Sequence, residues 1–210
     1  MARKPADQAV HRDDIIKAAA DVLREHGYDA TTMKDIAARV NLTAASLYHH
    51  FKNKDFLLLA VLERGLSLTI ATIEPIQQSD KPARDKLSAM IAAHINAITS
   101  HPASGAAMVF EIKALMNVNT AARGNGDSSE FTKRRDAFFE QRDYFEAMFR
   151  ETVKEGISNG EFRPVDAAIV AKAMLGAHNW VGVWYKASGR LAGDEIAAIM
   201  IDTFVTALKK

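Results

Sequence analysis

The chain has 210 residues, 48% of them apolar and 25% charged, with a formal net charge of +1 and no cysteine. That balance suits one large or two small globular domains with a packed core, and it excludes disulfides and thiolate metal sites. The polar start, MARKPADQAVHRDD, lacks the apolar middle of a secretory signal, and no uninterrupted apolar run reaches the ~20 residues of a bilayer span, so a cytoplasmic protein without membrane contact is expected.

Strand signals are missing, and the expected class is all-α with about nine helices. A first helix is predicted from Arg12 to His26, with Ile15, Ile16, Ala19, Ala20 and Leu23 inward and Gly27 as its stop. The next starts after Thr32, which stands three residues before Asp35 at the spacing of a capping box. Its apolar stripe is Met33, Ile36, Ala37 and Val40, at helical offsets. A turn at Asn41-Leu42 leads to a short helix with Ala44, Leu47 and Phe51 on one side. Two crossed helices with so short a joint form a helix-turn-helix, whose second member can lie in the major groove of DNA.

At ~100° per residue, the residue opposite that core side is His49, flanked by Ala45 and Ser46, with Lys52 on the same outer side. Ala45 and Ser46 are small enough to let the helix approach a base edge or thymine methyl, and His49 can donate or accept there. Tyr48 projects to one edge, placed to give its hydroxyl to a phosphate or simply to pack. Thr43 caps the helix and can also reach phosphate. Lys54 falls in the first turn of the following helix, where the dipole disfavours a cation; a nearby phosphate explains it, and an ordinary surface lysine is the alternative. Thr31 and Thr32 offer a similar anchor. Arg3, Lys4 and Arg12 suit an arm reaching into the minor groove. His49 and His50 diverge by ~100° on a helix and do not share a metal.

Further helices are predicted at 53–73, ended by Pro75, at 82–100, and at 105–117. The segment TAARGNGDSS, 120–129, reads as a loop. A charged helix follows at 130–159, ended by Gly160. The last two helices, 165–187 and 193–208, are apolar on more than one face, so more than one side must be covered. Either they are core helices of a large bundle or they make a homodimer interface. The second reading is preferred because few elements remain to cover them, with Ile169, Ala173, Ile201, Phe204 and Val205 as contacts.

Gly27, Thr31-Thr32, Ile36-Ala37, Leu47-Tyr48, His50-Phe51 and Lys54 together resemble the signature of the tetracycline-repressor (TetR) family. Asn41 and Ala45 stand where glycine is usual, and asparagine is the better tolerated of substitutes in a left-handed turn. The resemblance implies a homodimer with a DNA-binding domain, residues 1–54, and a ligand-binding and dimerisation domain, residues 55–210. It implies a double-stranded operator as partner, no cofactor, and a small-molecule effector. EGISNGEFRP at 155–164 and GAHNWVGVWYKASGRL at 176–191 are similar to members that regulate lipid, acyl-coenzyme A or steroid breakdown; Glu111 and Arg142 fit the same subgroup, while Lys186-Ala187-Ser188 departs from it. A small apolar or acyl-coenzyme A-type molecule is therefore the expected effector. Such pockets are mostly apolar with a few polar groups. The candidate lining is Met108, Phe110, Met116, Phe145, Met148, Phe149, Trp180 and Trp184, with Glu111, Arg142, His178 and Asn179 as polar groups. For each apolar residue core packing is the alternative.

Two rivals are an effector-independent architectural DNA binder and an enzyme. The large second domain speaks against the first. The chain has no nucleophile-turn serine, HExxH, Walker loop or GxGxxG, so an enzyme is not expected.

Overall fold

The computed structural model describes residues 11–118 and 125–210, with the backbone alone at Ser104 and at 125–127. Arg3, Lys4 and the 120–124 part of the expected loop lie outside the described residues. Among the described residues there are ten α-helices and no strand. They are α1 (Arg12–Ala30), α2 (Met33–Arg39), α3 (Ala44–His50), α4 (Lys54–Gln77) and α5 (Ala83–Ser100), then α6 (Pro102–Phe110), α7 (Ile112–Asn117), α8 (Asn125–Ser158), α9 (Ala167–Trp184) and α10 (Gly193–Ala207).

Local signals set most boundaries. Gly27 breaks α1 at φ 74°, and Gly160 follows α8 at φ 77°; both values suit glycine. Thr32 and Asp35 form the capping box at the head of α2, the Thr32 hydroxyl accepting from the Asp35 amide at 3.3 Å and the Asp35 carboxylate from the Thr32 amide at 2.8 Å. Asn41 holds φ 56°. Around it, Leu42 N–H donates to the Ala37 carbonyl at 2.9 Å and Asn41 N–H to that of Ala38 at 3.2 Å, the double closure of a Schellman motif. This turn sets the angle between α2 and α3. Asn41→Ala is expected to cost about 1 kcal/mol, the penalty of a Cβ in the left-handed region, and Asn41→Gly to cost nothing; thermal melts of the two variants check it.

Three boundaries differ from the sequence reading. The helix predicted at 105–117 is a pair, α6 and α7, jointed at Glu111 and started three residues earlier by Pro102, which serves well as a first helical residue. Pro75 lies inside the last turn of α4 instead of ending it. The charged helix α8 starts at Asn125, so part of the expected loop is helical.

Helix α4 is the centre of the fold. Seven consecutive side chains, Phe56 to Leu62, are buried, because α1, α5, α6 and α8 surround them. With 24 residues and an 18-residue window of mean hydropathy 1.8, α4 has the length and apolarity to cross a membrane. Counting uninterrupted apolar runs missed this, since Glu63 and Arg64 interrupt the stretch. Both are ion-paired within the fold, Glu63 with Arg134 of α8 and Arg64 with Asp13 of α1. Helix α10 packs on α5, and α9 on α6 and α8. Lys86 of α5, itself buried, reaches Glu155 of α8 at 2.9 Å. Glu161 accepts from the Ala83 and Arg84 amides at 3.0 Å each, supplying the acceptors that the head of α5 lacks in its own sequence.

Candidate functional site

Helix α3 is held by its inner side. Leu47 is fully buried and Phe51 nearly so, with the Arg12 guanidinium 4.7 Å over the Phe51 ring. The outer side carries Ala45, Tyr48, His49 and His50, all exposed. Tyr48 is 52% exposed, a large value for so big an aromatic ring. Thr43 caps α3, its hydroxyl accepting from the Ser46 amide at 3.0 Å and lying 2.9 Å from the Ser46 hydroxyl. The result is a short rigid rod that offers small, hydroxylic and imidazole groups along one face.

The expected phosphate anchors around it need correction. Thr31 is buried and spends its hydroxyl proton on the Gly27 carbonyl at 2.7 Å. Lys54 donates to the carbonyls of Tyr28 at 2.7 Å and Thr31 at 3.0 Å, with its ammonium 4.1 Å from the Tyr28 ring centre. A cation at the head of α4 is thus explained from inside the protein: it satisfies acceptors left over at the end of α1. Thr32 stays exposed, its hydroxyl turned to Asp35 at 2.7 Å. Lys52 is exposed and ion-paired with Glu130 of α8 at 2.7 Å.

Tyr28, which sequence reasoning passed over, is where α1 and the head of α4 meet the joint of α6 and α7. Its amide donates to Glu111 at 3.2 Å, its hydroxyl donates to Asp55, and its carbonyl holds Lys54. Glu111 sits at the joint of α6 and α7. Burial raises the Glu111 carboxyl above its ordinary value, the charge of Asp29 adds to this, and Lys54 opposes it. Burial likewise raises Asp55. A cleft of about 620 Å³ opens here, lined by Tyr28, Asp29, Asp55, Phe110, Glu111, Lys113, Ala114, Asn117 and Val118.

The candidate pocket residues divide into separate places. Phe145 and Phe149 of α8 and His178 of α9 meet in a buried aromatic cluster. His94 of α5 completes it, with its ring 5.0 Å from Phe145 and its Nδ1 3.3 Å from Nδ1 of His178. Burial holds His94 down at about 4, and holds His178 well below the usual imidazole value, with His94 adding to the effect. The one sequence signal for His94 is that a histidine interrupts the apolar stripe Leu87, Met90, Ile91, Ile95, Ile98. Met148 is buried, Met108 and Asn179 are partly buried, and Arg142 is partly buried with its guanidinium 6.0 Å from the Phe139 ring centre. Glu111 belongs to the Tyr28 joint. Phe110 and Met116 are exposed on α6 and α7.

Trp180 and Trp184 do not face the aromatic cluster. They are 56% and 47% exposed and share one outer face of α9 with Ile169, which is 63% exposed, and with Ala173 and Gly176. On α10 the corrections run the other way. Val205 is buried, and Phe204 is half-buried with its ring edge-on to His178 at 5.7 Å. Ile201 is half-buried, and the large apolar residue exposed on α10 is Ile199.

The chain is similar to known proteins in sequence and in fold. Residues 15–61 match the model of bacterial regulatory proteins of the tetR family, and residues 126–208 that of the tetracyclin repressor-like C-terminal domain. The HTH-type transcriptional repressor KstR2 of Mycolicibacterium smegmatis is 29% identical over 194 residues, covering 91% of this chain and 87% of that one. KstR2 of Mycobacterium tuberculosis strain H37Rv is 27% identical over 187 residues, covering 88% and 86%. Among solved structures, PfmR from Thermus thermophilus has a TM-score of 0.79 and 26% identity, over 93% of this chain and 99% of that one. AibR in complex with isovaleryl coenzyme A and operator DNA has a TM-score of 0.72 and 26% identity, over 91% and 96%.

Proposed function

The chain belongs to the TetR family of DNA-binding transcriptional regulators, and on that premise we propose that it is a cytoplasmic repressor, released from a palindromic operator by a small apolar or acyl-coenzyme A-type effector. The observation that carries this reading is the split character of α3, with Leu47 and Phe51 sunk in the protein and Ala45, Tyr48 and His49 bare to the outside. Such a helix has a face to read with and a face to be held by. Residues 1–54 form the DNA-binding domain, and residues 55–210 the effector and dimerisation domain. The exposed apolar face of α9 is the homodimer contact. It sets two copies of α3 about one DNA turn apart, ~34–36 Å. That AibR binds isovaleryl coenzyme A beside its operator supports the acyl-coenzyme A class of effector.

Release works through the Tyr28 joint. A molecule entering the effector domain displaces α6 and α7, and Glu111 draws on the Tyr28 amide at the end of α1. The recognition helices then leave their spacing. A coupling of ~1–3 kcal/mol gives operator binding about 5–150-fold weaker. Mobility shifts with DNA flanking the chain's own gene, with and without isovaleryl coenzyme A and other acyl thioesters, test the reading. Equal binding to random DNA would overturn it.

His49→Ala is expected to relax preference at one or two base pairs by ~1–3 kcal/mol. Tyr48→Phe is expected to weaken all operators alike, since the lost contact is to phosphate. Binding-site selection on both variants separates the two effects; an unchanged selection from His49→Ala contradicts its reading role.

A further inference from the structure

The Nε2 atom of His178 is buried and has no hydrogen-bond partner among the described residues. The rest of the ring is tightly placed. Its Nδ1 is 3.3 Å from Nδ1 of His94, so one ring donates and the other accepts. The rings of Phe204 and Phe149 stand edge-on to it, 5.7 and 6.3 Å away. Four helices, α5, α8, α9 and α10, thus converge on one imidazole whose second nitrogen is unsatisfied.

Folded proteins rarely leave such a group alone, because an unmet buried donor or acceptor costs ~1–3 kcal/mol. The position is therefore unfavourable for the empty fold and becomes favourable when something supplies the missing partner. Of the rings around His178, Phe204 is the one that reaches solvent, so its displacement opens a path to the nitrogen.

We propose that His178 Nε2 is the hydrogen-bonding contact for the effector, and that the part of the effector seated there is neutral and apolar apart from one carbonyl or hydroxyl oxygen. The proposal rests on the regulator reading and specifies its ligand. The imidazole pair and its phenyl neighbours offer no charge to match an ionised head group, and an unpaired charge in such surroundings carries a heavy desolvation cost. For a thioester effector, the acyl end enters this cluster and the phosphates stay outside it.

The test uses the full chain with ¹⁵N-labelled histidine, in which long-range ¹H–¹⁵N spectra read each ring nitrogen. Cyclohexanone and cyclohexanol, small enough for a side-chain-sized site, are compared with methylcyclohexane. The expected result is that at least one oxygenated probe moves the His178 Nε2 signal and the hydrocarbon does not. His178→Phe is expected to bind the oxygenated probe about tenfold more weakly, the worth of one buried hydrogen bond, with no loss for methylcyclohexane. A His178 signal unmoved by both oxygenated probes overturns the proposal, and that spectrum needs no variant to fold. Mobility shifts on the same sample separate the two levels. Specific operator binding with an unmoved His178 signal overturns the effector contact alone. Absence of specific binding overturns the regulator reading and this contact's role with it.

Discussion

Ile169→Glu combined with Trp180→Glu is expected to leave the protein a monomer and to weaken operator binding by about 10²-fold or more, since two linked half-site contacts become one. Both side chains are more than half exposed, so the substitutions bury no charge within the protomer. They fall on the α9 face that runs through Ile169, Ala173, Gly176, Trp180 and Trp184, a stripe ~22 Å long at the helical rise. Contiguous exposed apolar surface of this kind marks an interaction site, and tryptophan is a strong anchor in one. Phe204→Glu makes the contrasting case. It sets a carboxylate against the His178 ring, and the expected result is a lower melting temperature. Sedimentation velocity and thermal melts on both proteins decide the matter. A dimeric mass for the α9 double variant, beside a well-folded monomer for Phe204→Glu, would return the interface to the α10 residues that the amino-acid pattern suggests.

That contrast explains what was legible in the sequence. The capping box at Thr32 and Asp35, the left-handed Asn41 and the stripe of α2 are relations between residues a few positions apart, and the chain spells them out. The outward set of α3 follows from the period alone once Leu47 and Phe51 are known to be inside. The sites of the larger domain depend on which helix covers which. An apolar residue in a multi-faced helix announces that it will be covered without saying by what, so Trp180 lies on the surface of the protomer and Phe204 against the buried His178 ring. Lys54 is the same problem in a polar form. A cation at a helix head needs an acceptor, and nothing local distinguishes a phosphate from the carbonyls of Tyr28 and Thr31, which are brought there by the fold. The meeting of His94 with His178 spans 84 positions, and no pattern near either residue encodes it.

The buried histidine pair also makes the fold sensitive to acid. In the unfolded chain each imidazole takes up a proton as the pH falls through ~6.5. In the folded protein His94 stays neutral down to about 4 and His178 is likewise held below its usual value, in each case chiefly by burial. The unfolded state then binds more protons than the folded one, so stability is lost as the pH falls below ~6.5, at ~1.4 kcal/mol per pH unit for each ring. Glu111 and Asp55 act in the opposite sense. Their carboxyls are raised by burial, so their contribution grows on acidification and offsets part of the histidine loss. The change of slope when the histidines are replaced isolates their share, because the carboxyl contribution is common to every variant. Urea unfolding from about pH 6.5 to about 5, at one protein concentration so that association is constant, is expected to show wild-type stability falling by up to ~3 kcal/mol per pH unit. His94→Phe should remove about half of the histidine share, and His94→Phe with His178→Phe nearly all of it. The slope is the quantity to compare, because a repacked phenyl ring shifts stability equally at every pH. Equal slopes for the wild type and the double variant would show that the two imidazoles are protonated within the folded core.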